Sequence, residues 1–173
     1  MRHIYVASSW KNAATLPDIA GLLRAAGHEV FLFCEREAGH FVFNAGDWKG
    51  EDLSSMTAKQ AFHHEAFRAA YASDKAGLDW ADTVVLVLPA GKSTHLEAGY
   101  GAGQGKDVFV YGAPVPGEYD AMYGFARAIC ETCDELLIAL RLEPLAWRKN
   151  ALVNTFSSVS TPEMLATQPK ERA

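Results

Sequence analysis

Cysteine is scarce, positive charge is outnumbered, and no apolar run is long. The 173 residues hold three cysteines, Cys34, Cys130 and Cys133. They cannot all pair within one chain, and so low a count fits a reducing compartment rather than a disulfide scaffold. Cys130 and Cys133 form a Cys-x-x-Cys, but no second ligand pair accompanies it, and its surroundings (FARAICETCDELLIAL) read as a helix. Helix packing is therefore expected of both, with no metal and no cofactor. Lys and Arg number 16 against 21 Asp and Glu, a formal charge of −5. No general positive field exists to hold a nucleic-acid polymer or an anionic membrane surface. The longest strongly apolar run, residues 83–89, falls well short of the roughly 20 residues that cross a bilayer, and the opening MRHIYVASSW lacks a signal-peptide core. Repeats and low-complexity segments are also missing. The expectation is a cytoplasmic protein whose partner is a small molecule.

What is present is ordinary globular material, 49% hydrophobic and 21% charged, enough for one domain with a real core. Residues 1–150 are assigned to that domain and residues 151–173 to a C-terminal tail. Residues 3–7 (HIYVA) read as a strand, 17–26 as a helix stopped by Gly27, and 29–34 (EVFLFC) as a second strand. Residues 35–55 form a glycine-broken loop carrying Phe41, Phe43 and Trp48, and such aromatic loops cover a core or shape a pocket. A helix is expected over 57–73, with Phe62, Ala66 and Ala69 or Ala70 on one stripe. His63 and His64 on it diverge by about 100° and cannot share an ion. Residues 81–89 (ADTVVLVLP) are apolar throughout, as in a strand covered on both faces, so this is the expected sheet centre. A helix over 96–103, a strand over 107–111 and a last helix over 119–140 follow, the last after a turn at 114–117. Strands alternating with helices predict an α/β fold, a three-layer doubly wound parallel sheet of flavodoxin- or Rossmann-like type, with one further strand expected in the tail.

In such sheets ligands bind beyond the carboxyl ends of the strands. Two loops qualify, residues 7–12 with Ser8, Ser9 and Trp10, and residues 89–96 with Gly91, Lys92, Ser93, Thr94 and His95. Glu97 then falls in the first turn of the expected helix, where the dipole and free N–H groups favour the carboxylate and lower its pKa. That suits a nucleophile, although many first-turn glutamates only balance a helix dipole. Ser93 or Thr94 serves either as a cap or, with Lys92, as a phosphate contact. Trp10 stacks a base or belongs to the core, and His95 faces the cleft or acts as a hydrogen-bonded spacer.

Taken together, Ile4-Tyr5, Asp74, Asp82, the apolar strand, Glu97-Ala98-Gly99-Tyr100 and Gly105-Lys106 resemble the nucleoside 2-deoxyribosyltransferase superfamily, in the expected order over residues 1–114. The resemblance implies cleavage or transfer at the N-glycosidic bond of a nucleoside or nucleoside 5′-monophosphate. It makes Glu97 the nucleophile at C1′, Asp74 the proton donor to the leaving base and Tyr5 the group that holds Glu97. Ser8, Ser9, Trp10, Gly91, Ser93, Thr94, His95 and Asp82 join them as substrate-side candidates, although Asp82, at a strand start, suggests structure more than chemistry. The turn before Glu97 departs from the transferase pattern and is closer to the related 5′-monophosphate N-glycosidases. The resemblance also implies a homo-oligomer, with Trp147, Asn150, Asn154 and Phe156 reaching a neighbouring subunit. A nucleotide-binding module that does not cut its ligand is the competing reading. A Toll/interleukin-receptor-like NAD glycohydrolase lacks its motif here, and a dehydrogenase lacks its glycine turn after a strand.

Overall fold

The computed structural model describes residues 1–35, 56–113 and 120–142. The chain runs β1 (His3–Ser8), a short 3₁₀ turn (Trp10–Asn12), α1 (Leu16–Ala25), β2 (Glu29–Leu32), α2 (Ala58–His63) and α3 (Glu65–Trp80). It continues with β3 (Thr83–Val87), α4 (Lys92–Gly103), β4 (Asp107–Tyr111), a second 3₁₀ turn (Ala121–Phe125), β5 (Ala128–Cys130) and α5 (Cys133–Arg141). All five strands are parallel, in the order β2-β1-β3-β4-β5. The predicted doubly wound α/β architecture is therefore the one observed, in the strand order of flavodoxin-like sheets.

Alternation along the strands builds two cores. Ile4, Val6, Val85, Val87 and Phe109 pack against Leu16, Leu23, Leu136 and Leu140 of α1 and α5. Tyr5, Ala7, Val84, Leu86, Val108 and Val110 pack against Leu78 of α3 and Ala98 of α4 on the other face. Strand β3 is buried along its whole length, as a covered central strand must be. Helix α4 lies so close to the sheet that a Cβ on Gly101 would stand 2.7 Å from Val84 Cγ2. Gly27, with φ of +87°, ends α1 in the left-handed region, as the sequence predicts.

The amino end of the sheet is sewn together by buried charge. Asp107 accepts from Arg2 at 2.8 Å and from Arg127 at 2.7 Å. The Arg2 guanidinium also donates to Thr83 Oγ1 and to the carbonyls of Leu140 and Leu142, so one side chain ties β1, β3, β4 and the end of α5.

Several sequence expectations are corrected. The helix expected over 57–73 is two helices: His64 is extended (φ −67°, ψ 138°) and its ring accepts from Ala66 N, which starts α3 afresh and carries it on to Trp80. Phe62, expected on a buried stripe, is 74% exposed. Helix α4 begins at Lys92, four residues earlier than expected, because extended Gly91 caps it with no side-chain bond. The helix expected over 119–140 is instead a 3₁₀ turn, the edge strand β5 and α5, the last started by a Thr132–Glu135 capping box. The fifth strand thus precedes the tail in which it was expected. The Cys-x-x-Cys spans a strand-to-helix junction, with Cys130 buried at the end of β5 and Cys133 opening α5, its Sγ 2.9 Å from Tyr111 Oη. Both thiols, like that of Cys34, are free. The aromatics Phe41, Phe43 and Trp48, the turn at 114–117 and the C-terminal residues 143–173 lie outside the described residues.

Candidate active site

The strand order reverses between β1 and β3, and the loops leaving these two strands diverge to opposite faces, which opens a crevice at their carboxyl ends. Asn12 laces the two loops: its amide donates to Ser8 Oγ and to Pro89 O, both at 2.9 Å, while Ser8 Oγ donates to Val87 O at 3.2 Å. A cavity of about 670 Å³ lies above, walled by Ser8, Ser9, Trp10 and Phe33 from the β1 and β2 ends. Phe67, Tyr71, Asp74, Lys75 and Leu78 come from α3, and Gly91 to Thr94, Leu96, Glu97 and Tyr100 from α4. Its size is that of a small-molecule site.

Two carboxyls and one hydroxyl meet at the floor. Asp74 projects from α3, Glu97 from the second turn of α4, and Tyr5 from β1 beneath them. Burial pushes the Glu97 carboxyl up to about 8, the nearby Asp74 charge adds to the rise, and the Tyr5 hydroxyl opposes it. Burial likewise lifts Asp74 to about 6, again with Tyr5 pulling the other way. Tyr5 itself rises far above the ordinary phenol value, first through burial and then through the two facing carboxylates. Its buried hydroxyl faces both carboxyl groups and interacts with each of them. Two carboxyls whose ionisation is shifted by burial, gathered around one phenol beside a cleft, are a feature of candidate functional sites. The expectation of a depressed Glu97 pKa is corrected: the residue lies beyond the first turn, and desolvation outweighs any dipole.

Other candidates fall into three groups. Ser8, Ser9, Trp10, Gly91, Ser93 and Thr94 border the same cavity as Asp74 and Glu97. Ser8 is occupied by the loop bonds above, and Ser9 accepts from Lys11 N. Thr94 is buried and Ser93 exposed, and neither caps α4. His95 turns away: Nδ1 bonds Gly91 O at 2.8 Å, Nε2 meets Tyr123 Oη at 3.2 Å, and the ring stacks on Tyr123. It borders a second cavity on the far side of α4, also of about 670 Å³, so its placement is that of the spacer. Asp82 stands at the opposite end of the sheet from this cavity, accepting from His3 N and Thr83 Oγ1.

Sequence reasoning missed the aromatic wall. Phe67, Tyr71, Asp74 and Leu78 follow the i, i+4, i+7, i+11 spacing of one helical face, so a wheel centred on Asp74 rather than Phe62 finds them. Also missed is the brace at the rim, where Tyr100 Oη donates to Asp79 at 2.7 Å and Lys75 pairs with the same carboxylate. This brace ties the helix of Asp74 to the helix of Glu97. The described residues contain no His, Cys, Asp or Glu cluster that would hold a metal ion, and no described helix is long and apolar enough to cross a membrane.

No family model and no curated protein matches the sequence. Among solved structures, the 2-deoxyribosyltransferase of the psychrotolerant bacterium Bacillus psychrosaccharolyticus matches at 20% identity over 78% of this chain and 89% of its own, with a TM-score of 0.51. A CMP N-glycosidase of Clostridium botulinum follows at 16% identity, 79% and 95% coverage and a TM-score of 0.45. A conserved protein of Enterococcus faecalis V583 follows at 14% identity, 81% and 97% coverage and a TM-score of 0.49. The five-stranded parallel α/β fold described above is thus the one this chain shares with a nucleoside-processing 2-deoxyribosyltransferase.

Proposed function

We propose that the protein cleaves the N-glycosidic bond of a (deoxy)nucleoside or nucleoside 5′-monophosphate, passing the sugar to water or to a second base, with Glu97 as nucleophile. The observation that carries this reading is that Glu97 and Asp74 line one cleft with the buried Tyr5 hydroxyl facing both. The fold shared with a 2-deoxyribosyltransferase agrees with it. Breaking a C1′–N bond builds positive charge on the sugar and negative charge on the base, so it calls for a carboxylate below the one and a proton near the other. With Asp74 near 6 and Glu97 near 8, the pair holds one proton around neutrality, and its two steps belong to both groups together. The proton of the pair rests mainly on Glu97; positive charge developing at C1′ favours its transfer from Glu97 to Asp74, which leaves Glu97 ionised beneath the sugar and Asp74 protonated near the base. Glu97 then attacks C1′, the C1′–N bond electrons go to the base, and Asp74 protonates it. A water or second base, deprotonated by Asp74, reopens the glycosyl ester. The Tyr5 hydroxyl faces both carboxyls and orients them.

A 5′-phosphate is the finer part of the proposal. The first N–H groups of α4 have no intrahelical partner, Lys92 and Ser93 are exposed at the same end, and helix N-termini of this kind hold phosphate. Ser93 is not a cap, so Ser93→Ala tests recognition without confounding helix stability.

The second reading, a nucleotide-binding module that does not cut, gains from the burial that pushes the Glu97 carboxyl up to about 8, which favours its protonated form near pH 7. A panel of nucleosides and 5′-monophosphates, each with and without a second free base, separates the two when base release is followed by chromatography. Cleavage by the wild-type protein, abolished in Glu97→Gln, is the expected result. Turnover in Glu97→Gln at the wild-type rate overturns the nucleophile, and binding without cleavage of any member leaves the module. Transfer rather than hydrolysis is read from appearance of the second nucleoside.

A further inference from the structure

Immediately after Asp74, α3 carries a lysine. Lys75 lines the same cavity as Asp74 and Glu97, and its ammonium is fixed from two sides. Nζ donates to Asp79 Oδ2, one turn further along α3, and lies 4.9 Å from the centroid of the Tyr100 ring on α4, a cation–π distance. The other oxygen of Asp79 accepts from Tyr100 Oη at 2.7 Å, and Tyr100 Oη accepts in turn from Gln104 Nε2 at 2.5 Å. Lys106, from the turn after α4, donates to the Leu78 and Asp79 carbonyls, and its charge acts on the same Asp79 carboxylate. Stability does not account for the ion pair: the Lys75 and Asp79 side chains are 34% and 47% exposed, and exposed pairs contribute little. What the pair does determine is where a positive charge stands relative to the cleft.

Resting on the N-glycosidic reading above, we infer that Asp79 is a positioning residue: by holding and neutralising the Lys75 ammonium at the rim, it keeps that charge from the two carboxyls proposed to react. The titratable groups around Asp74 and Glu97 are Tyr5 on β1, Tyr71, Lys75 and Asp79 on α3, and Lys92 and Tyr100 on α4. Of these, Lys75 stands beside Asp74 in the chain, on a flexible stem of four methylenes. The proposed chemistry needs one proton shared by the carboxyls around neutrality, and burial supplies it by raising both. An uncompensated ammonium on the cavity wall favours the doubly ionised pair, which releases the proton destined for the base.

Asp79→Asn tests the inference, because the amide keeps an acceptor for Tyr100 and Lys75 while the negative charge is removed. The Asp74 and Glu97 carboxyl carbons, identified by the signals lost in Asp74→Asn and Glu97→Gln, are followed by NMR against pH in ligand-free protein at low ionic strength. In Asp79→Asn the pair is expected to titrate about one unit or more below wild type, the scale on which a nearby opposite charge acts. Little change in melting temperature accompanies that shift. Adding Lys75→Met restores neutrality at the rim and is expected to return the titration to within about half a unit of wild type, whereas Lys75→Met alone does not lower it. A pair that titrates in Asp79→Asn as in wild type overturns the inference. So does a double variant that stays displaced, or a Lys75→Met that falls as Asp79→Asn does, since the brace would then act through helix placement and not through charge. Base release against pH is scored separately, with an optimum displaced towards acid in Asp79→Asn and restored in the double variant. Absence of cleavage in wild type sinks the catalytic reading and leaves the titrations to decide the role of Asp79, while cleavage with unmoved titrations sinks this inference alone.

Discussion

At the scale of single residues, the proposed nucleophile Glu97 carries a cost in stability. Its folded pKa is raised from 4.5 to about 8, chiefly by burial, so in the folded state the proton is held more tightly than in the unfolded chain. A raised carboxyl favours folding fully below the unfolded value near 4.5, and that contribution is lost as the pH climbs through about 8. Asp74, raised to about 6, acts in the same direction over a lower window. The ligand-free protein is therefore expected to lose melting temperature between pH 5 and 8.5, and Glu97→Gln to lose less. The variant should exceed wild type above pH 8 by about 1–2 kcal/mol, one pKa unit being about 1.4 kcal/mol before the discount for partial exposure. Thermal melts of both proteins across that range check the sign. A variant that melts below wild type at high pH contradicts a buried, raised Glu97. None of this was readable in the sequence, where Glu97 was placed in a first turn and given a lowered pKa. The side chain's desolvation comes from α3 and β1, far away along the chain.

Elements show which parts of a fold a sequence announces. Strands β1, β3 and β4 were legible because β-branched and aromatic runs bounded by small polar residues have few alternatives, and the parallel order followed from helices between them. Helix α4 was located with the wrong start, since its cap is a glycine in extended conformation with no side-chain signal. The break at His64 and the three-residue β5 were invisible because tertiary pairing, not local propensity, creates them. The site was legible in part: Tyr5, Asp74 and Glu97 were picked out by resemblance and do converge, whereas Asp82 and His95 lie elsewhere and Phe67 and Tyr71 went unremarked. Two glycines of α4 provide a test at this scale. A Cβ at Gly99 would meet nothing within 4 Å, but one at Gly101 would strike Val84. Gly99→Ala is expected to stabilise by about 0.5–1 kcal/mol through helix propensity, and Gly101→Ala to destabilise by about 1–3 kcal/mol through overpacking. Chemical denaturation of the two variants distinguishes them, and equal effects would mean that α4 does not seat on β3 as described.

The whole molecule is polarised along its strands. At the amino end, Arg2, Arg127 and Asp107 form a buried network with Thr83 and the carbonyls of Leu140 and Leu142. At the carboxyl end lie the raised carboxyls and the cleft. Asp107→Ala leaves two buried guanidinium groups without their carboxylate and is expected to cost about 3–5 kcal/mol, read as a fall in the denaturation midpoint. A loss under 1 kcal/mol would show that solvent or other groups replace the carboxylate. Separation of this kind matters to anyone who wishes to redesign the protein. Trp10, Phe67, Tyr71, Lys92 and Ser93 are all exposed, and substitutions at exposed positions usually shift stability by no more than about 0.5 kcal/mol. A saturation library confined to these five positions therefore varies the wall of the cavity on a scaffold whose two cores and amino-end network are left untouched, so that most of its members remain folded enough to screen.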